Sequence, residues 1–202
     1  INPGSSNAFP IEYEAKPTPQ PITVRAFEVD VVKDAQGQED LVKSNRQRTV
    51  TVPYIADYYA TKTTAFPFAY LLRLSDPVVK NLLQAHGIKL EKLTRNTRLE
   101  VESFKITSLK PSTRLNQGHY TNSVSGTMVK DTVDFQSGTY VIRMAQPLAN
   151  LAAYLLEPQS NDALLLWNFF DRVLVPQWGR GYNEYPVYRL MQKTALNTVP
   201  VL

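Results

Sequence analysis

The sequence predicts an α+β fold: a mixed β-sheet with one strand–helix–strand unit and about three helices packed on it. Three observations carry this expectation. Alternating, β-branched and aromatic segments fill much of residues 22–144, one short helix with clear start and stop signals lies between two strand-like stretches, and two apolar helical patterns follow near residues 148 and 163.

Residues 1–21 carry Pro3, Pro10, Pro17, Pro19 and Pro21. Proline fixes φ and removes a backbone donor, so this stretch reads as an extended arm or linker and residues 22–202 as one α+β domain. Residues 22–32 alternate as a strand, with Ile22, Val24 and Ala26 on one phase and Phe27, Val29 and Val31 on the other. The change of phase after Ala26 predicts a bulge or a strand buried on both faces. Polar residues 33–48, with Gly37, read as the loop of a hairpin that returns over 49–55, making 22–65 a small hairpin subdomain.

The first helix is expected over residues 77–86. Asp76 offers a side-chain acceptor, Pro77 occupies the first turn without losing a bond, and Gly87 suits a left-handed stop. Val78 with Leu82, and Val79 with Leu83, fall four apart and share a face. Strand-like residues 69–74 and 88–93 flank this helix, which predicts a parallel pair joined by a right-handed crossover. Residues 98–109, 124–135 and 138–144 read as further strands. Leu148, Leu151, Ala152 and Leu155 give one apolar stripe between Pro147 and Pro158, the second helix. Residues 163–174 are apolar nearly all round, capped by Asn161 and Asp162 and stopped by Pro176, and predict a third helix buried on several sides.

Composition narrows the chemistry. The 202 residues include no Cys, which excludes disulfide scaffolds, cysteine-bound zinc, thiol nucleophiles and iron–sulfur sites. A chain this long removes roughly 70% of its extended surface from water, so its core needs neither a disulfide nor a structural metal. Apolar runs stop well short of the roughly 20 residues that span a bilayer; the longest candidate, 163–170, is interrupted by Asn168. Residue 1 is Ile, and the polar, proline-rich start lacks the basic and apolar zones of an export signal, so the chain reads as a fragment or a processed product. The 22 Lys and Arg exceed the 18 Asp and Glu by four, and the densest groups, Lys43, Arg46 and Arg48, then Lys89, Lys92, Arg95 and Arg98, read as solvated faces. No nucleic-acid partner is implied.

Zinc hydrolases set two ligands in one short segment, such as His-x-x-Glu or His-x-x-x-His, with a third from elsewhere. His86, before Gly87, Ile88 and Lys89, and His119, before Tyr120, Thr121 and Asn122, stand in neither pattern. His86 suits the carbonyl end of a helix and His119 a surface turn. Gly-x-Ser-x-Gly and Ser-x-x-Lys are absent, and Gly179 and Gly181 do not make a phosphate loop. The pairs Asp131 with Asp134 and Glu100 with Glu102 read as solvated strand positions, with a general acid and base pair as the rival reading. No catalytic residue and no metal ligand is assigned.

One cluster stands apart: Trp178, Gly179, Arg180, Gly181 and Tyr182, followed by Tyr185 and Tyr188. Either its rings fold back onto the core, or Trp178, Arg180, Tyr182 and Tyr185 form a stacking surface. The second case makes the chain a stand-alone carbohydrate- or peptide-binding module.

Several linked segments carry a resemblance over roughly residues 66–172. They are Ala69-Tyr70-Leu71-Leu72; residues 82–93, including Ala85-His86-Gly87-Ile88; Gly138-Thr139-Tyr140-Val141-Ile142-Arg143-Met144; Gln146-Pro147-Leu148-Ala149 through Leu155-Leu156-Glu157-Pro158; and Trp167-Asn168-Phe169-Phe170-Asp171. In this order they resemble the region after the catalytic domain in bacterial zinc carboxypeptidases of the carboxypeptidase A family. Ala145 stands where that family commonly has an acidic residue. The resemblance implies a parent metallocarboxypeptidase whose zinc, held by two His and one Glu with another Glu as base, lies in its own catalytic domain. None of those residues has a counterpart here. The chain is then a noncatalytic C-terminal accessory domain without a cofactor of its own, its partner is the peptidase domain of the same polypeptide, and export to the periplasm or medium is expected.

Overall fold

Ala69-Tyr70-Leu71-Leu72 is a run of four residues buried on both faces, the signature of a strand in the middle of a sheet. The computed structural model describes residues 8–74, 77–175 and 184–201. In it this run is β5 (Ala69–Leu72), and it lies near the centre of a seven-stranded sheet. The other strands are β6 (Glu91–Leu93), β7 (Thr97–Pro111), β8 (Asn122–Phe135), β9 (Tyr140–Arg143), β10 (Val187–Leu190) and β11 (Thr198–Pro200), in the order β11-β6-β9-β5-β10-β7-β8. Every neighbouring pair in this sheet is antiparallel.

The predicted α+β class is therefore overturned. Strand covers 52% of the described residues and helix 11%, and the sheet is antiparallel rather than mixed. The strand–helix–strand unit fails for a specific reason: β9, from much later in the chain, enters between β5 and β6 and is antiparallel to both. The two strands around the helix run in the same direction without touching. Local sequence order shows a crossover but not the later strand that fills the gap.

The helix itself, α1 (Pro77–Ala85), is present, with Val79 and Leu83 buried. Its end follows the glycine rule. Gly87 has φ +81°, its N–H donates to the Gln84 carbonyl at 2.8 Å, and the Ile88 N–H donates to Leu83 at 3.1 Å. Asp76, the expected cap, lies outside the described residues. The second helix, α2 (Ala149–Leu156), buries Ala149, Ala152, Ala153, Leu155 and Leu156. The third shrinks to the single turn α3 (Asp171–Leu174). Asn168 adopts φ +71°, and the Phe169 N–H reaches back to the Leu164 carbonyl at 3.0 Å, so the preceding turn closes there. Asparagine tolerates that left-handed geometry, and the apolar pattern around it concealed the stop.

Alternation along β5 divides the interior. Tyr70 and Leu72 belong to a large cluster with Ile142, Val79, Leu83, Ala152 and Leu156. Ala69 and Leu71 belong to a smaller one with Leu93, Val141, Tyr188 and Leu190. A continuous apolar strand is the consequence of supplying both.

Residues 13–61 form a separate unit. Most of it is the antiparallel hairpin of β2 (Ile22–Lys33) and β3 (Glu39–Val52), whose register shifts between Phe27 and Val29. The expected 33–48 loop is only a turn. Asp34 Oδ1 accepts from the N–H groups of Gln36 and Gln38 at 2.9 and 2.8 Å, and Gly37 takes φ +78°. The polar residues after it continue as β3, because a solvated two-stranded ribbon asks for no apolar signal. The 1–21 arm contains β1 (Ala8–Pro17), which pairs with β4 (Ile55–Ala65) as a two-stranded sheet. Each strand of such a pair has an outer edge where a proline's missing donor goes unneeded. Phe9 and Ile11 are buried in the large cluster.

Gly126 on β8 gives a direct test of packing. A Cβ there would lie 2.3 Å from the Lys105 carbonyl oxygen and 2.7 Å from Cζ of Phe104. Gly126→Ala is expected to lower stability by about 1–3 kcal/mol through overpacking, read as a reduced urea midpoint with unchanged slope. An unchanged midpoint would show that β7 yields freely at this contact.

Candidate functional site

Register sets the most unusual group in the molecule. Arg189 on β10 stands opposite Tyr70 on β5 and opposite Glu102 on β7, so three adjacent strands carry Tyr70, Arg189 and Glu102 in a row on one face. Glu157, the residue that ends α2, meets this row. Its carboxylate is 1% exposed and Arg189 is 7% exposed. The Tyr70 hydroxyl donates to Glu157 Oε1 at 2.6 Å, and Arg189 Nε donates to the same oxygen at 2.8 Å. Arg189 Nη2 donates to Glu157 Oε2 and to Thr64 Oγ1, and Nη1 reaches Glu102 Oε2 at 3.4 Å. The planar fork of arginine matches a carboxylate in this way, and a lysine would not.

Burial governs the titration of these groups. It raises the Tyr70 hydroxyl well above its ordinary value, and the Glu157 charge adds to the effect. Burial acts against the Arg189 charge, but Glu157 outweighs it and holds the guanidinium above its usual range. Tyr185 is fully buried, donates to the Leu156 carbonyl at 2.8 Å, and is also raised well above the ordinary value, first by burial and then by Glu157.

Two adjoining hollows of about 330 and 370 Å³ lie here, sharing Lys62, Pro158 and Gln159. Arg189, Glu157 and Thr64 line the smaller one, and Lys110, Asn122 and Ser160 the larger. Lys62 pairs with Glu12 at 3.2 Å. The hollows are polar, and Lys62 with Glu12 and Arg189 with Glu157 are paired within them. The buried hydrogen bonds of Glu157, Arg189 and Tyr70 hold these side chains in one orientation.

The residues singled out from sequence are dispersed. Tyr185 is core: its ring meets Phe104 and Phe170 edge-on, with centroids 6.2 and 5.2 Å away, which removes it from any stacking surface. Tyr188 is also buried and donates to Glu184 at 2.9 Å. Trp178, Arg180 and Tyr182 lie outside the described residues. His86 Nδ1 sits 2.9 Å from the Leu82 carbonyl, and His119 Nδ1 sits 3.1 Å from Asn168 Oδ1 with its ring edge-on to Trp167. Among the described residues, no three side chains of His, Asp or Glu are grouped to hold a metal ion. Asp131 faces Lys105 at 3.7 Å, Asp134 faces Arg98 at 3.6 Å and Glu102 faces Arg189, so three of the four acids in these pairs are engaged with cations. Among the described residues no helix is long and apolar enough to cross a membrane. Sequence reasoning missed Glu157 and Arg189 as a pair. The signal was available as one acid closing the apolar Leu-Ala-Ala-Tyr-Leu-Leu run and one cation inside Val-Tyr-Arg-Leu.

Part of the chain is related to fungal carboxypeptidases. It is 28% identical over 131 residues to carboxypeptidase 2 of Trichophyton equinum, covering 65% of this chain and 23% of that protein. Over 128 residues it is 28% identical to carboxypeptidase 2 of Trichophyton rubrum, covering 63% of this chain and 22% of the relative. To the probable carboxypeptidase 2 of Arthroderma benhamiae it is 30% identical over 105 residues, 52% of this chain and 20% of that one. The match thus spans less than a quarter of the length of these curated relatives. No protein-family model and no solved structure matches the chain.

Two outcomes test the buried network. Arg189→Met leaves the Glu157 carboxylate buried without its cation and is expected to cost about 3–5 kcal/mol in denaturant unfolding. Adding Glu157→Gln should recover part of that loss; equal, additive costs would show the pair to be uncoupled. The second outcome concerns alkali. Burial, with Glu184 next, pushes Tyr188 up to about 12 from the ordinary 10.0, and Tyr70 and Tyr185 are also raised. Above about pH 10 the unfolded chain has released tyrosine protons that the folded chain retains, so stability is flat below that point and falls as pH rises beyond it. Tyr188→Phe should remove part of the fall, measured as the urea midpoint against pH; an unaltered slope would contradict the assignment.

Proposed function

We propose that this chain is a noncatalytic accessory region of a zinc metallocarboxypeptidase-like polypeptide, placed after the peptidase domain and packing on it or modulating it. The observation that carries the reading is a carboxypeptidase 2 match on a chain whose buried charges are closed on one another. A hydrolytic centre needs a reactive group left available in a pocket. Glu157 instead accepts from Tyr70 and Arg189, so this set of polar side chains beside a hollow supports shape.

The residues here do not fit a zinc site. His86 and His119 stand beside a helix carbonyl and an asparagine, and among the described residues neither belongs to a group of three His, Asp or Glu that could hold a metal ion. In this reading zinc belongs to the peptidase domain of the parent polypeptide, no hydrolytic step runs through residues 8–201, and the parent is an exported protein. The stabilised sheet supplies a rigid body that the peptidase domain can rest against.

The test is a peptidase assay on the purified 202-residue chain, titrated with zinc, using blocked dipeptides with free C-termini. No turnover and no stoichiometric tight zinc are expected, while deletion of the region from the parent should lower the parent's thermal midpoint. Zinc-dependent turnover by the isolated chain would end the reading.

A further inference from the structure

Residues 13–61 contain no buried hydrophobic side chain; the only buried residue among them is Ser44. Of the 18 large hydrophobic side chains exposed among the described residues, 12 belong to this stretch. Ordering a backbone costs about 1–2 kcal/mol per residue, and an isolated two-stranded hairpin is marginal in water. A ribbon of this kind is completed by a surface that covers it.

The register says which face is uncovered. Arg25 stands opposite Thr49, Phe27 opposite Gln47, Val29 opposite Lys43, Val31 opposite Leu41 and Lys33 opposite Glu39. Across the irregularity the pairing moves by two residues of β3, so odd positions stay opposite odd positions and the face is continuous. The even face is mixed: Val24, Ala26, Glu28 and Asp30 are half-buried and Arg46 ties Glu28 to Asp30, while Ile22, Val32, Val42 and Arg48 are exposed, the three apolar ones less so than Val29, Val31 and Leu41 on the odd face. On the odd face Val29 is 54% exposed, Val31 58% and Leu41 71%. Lys43 Nζ sits 3.7 Å from the Phe27 ring centroid, and Arg25 has no ion-pair partner among the described residues. Glu39 is the one acid on this face and already faces Lys33 at 3.5 Å. The result is an apolar centre of Phe27, Val29, Val31 and Leu41 with an unopposed basic rim.

We propose that this odd face is the docking surface for the rest of the parent polypeptide, on a patch that is apolar at its centre and acidic at its rim. The inference rests on the accessory reading above and adds to it the face that makes the contact. Interfaces of this anatomy exclude water at the centre and set orientation through rim charges. The relatives are more than four times as long as the matched stretch, so such a surface in the same polypeptide meets the hairpin at high effective concentration. A second copy is the poorer occupant, because face-to-face apposition brings Arg25 and Lys43 toward their own counterparts.

Hydrogen exchange on the full-length parent and on the 202-residue chain decides the matter. Amides of 27–31 and 41–43 are expected to exchange about tenfold or more slowly in the parent. Leu41→Arg in the parent should abolish that difference, with unit-wide folding intact because Leu41 is exposed. Lys43→Glu should reduce the difference in low salt and less so in high salt. Equal exchange in parent and isolated chain would overturn the inference, and so would protection that grows with the concentration of the isolated chain, which points to a second copy. Failure here, with the isolated chain inert toward peptides, leaves the accessory reading standing. Zinc-dependent turnover by the isolated chain removes that reading whatever the hairpin does.

Discussion

A guanidinium on a buried central strand is the constraint around which the larger unit is arranged. Arg189 cannot be deprotonated at any ordinary pH, so its charge must be answered where water is excluded. The answer comes from three directions, Glu157 at the end of α2, Glu102 from a neighbouring strand and Thr64 from β4, while Tyr70 on the other neighbouring strand supports the Glu157 carboxylate. Each partner fixes something. Glu157 sets where α2 ends against the sheet, the Tyr70 hydroxyl fixes the carboxylate, and Tyr185 ties down the Leu156 carbonyl beside it. A well-packed apolar substitute is often as stable as such a pair, so its structural consequence is the docking of these elements in one arrangement.

The elements with local signals were legible in the sequence. Gly87 stops α1 as its left-handed geometry requires, Pro147 and Pro158 bracket α2, and alternation marks β7 and β8. What local signals could not give is sheet order. A helix between two strand-like segments suggests a parallel crossover, yet an antiparallel sheet can accept the same pair if a later strand separates them, and β9 does so. Asn168 shows the opposite difficulty. Its left-handed turn splits a segment whose hydrophobicity is continuous, so composition predicted three turns of helix where only the last is helical.

The site was less legible, because the deciding fact is registry. Arg189 reads in sequence as one charge within an apolar strand, and Glu157 as the end of a helix; 32 residues separate them. Only the register of β10 against β5, and the descent of α2 onto that face, makes them partners. Tyr185 depends on the same kind of fact: an aromatic near glycines and an arginine suits either the core or a surface, and because it precedes a strand buried on both faces it is drawn into the core.

The two units therefore stand on different physical footings. The larger one is a closed system whose apolar faces cover each other and whose buried charges are paired. In the smaller one the polar turn, the Asp34 hydrogen bonds and the Arg46 ion pairs define a shape, but exposed ion pairs contribute little and no hydrophobic side chain is fully buried. Shape without burial is what a surface looks like before its partner arrives. Arg25 and Lys43 lie on the face that bears Phe27 and Leu41, while Glu28 and Asp30 on the opposite face are bound by Arg46, so the hairpin has two electrically distinct sides. That asymmetry gives direction to its docking, since the three most exposed large apolar side chains of the β2–β3 hairpin, Val29, Val31 and Leu41, lie on one side together with Arg25 and Lys43.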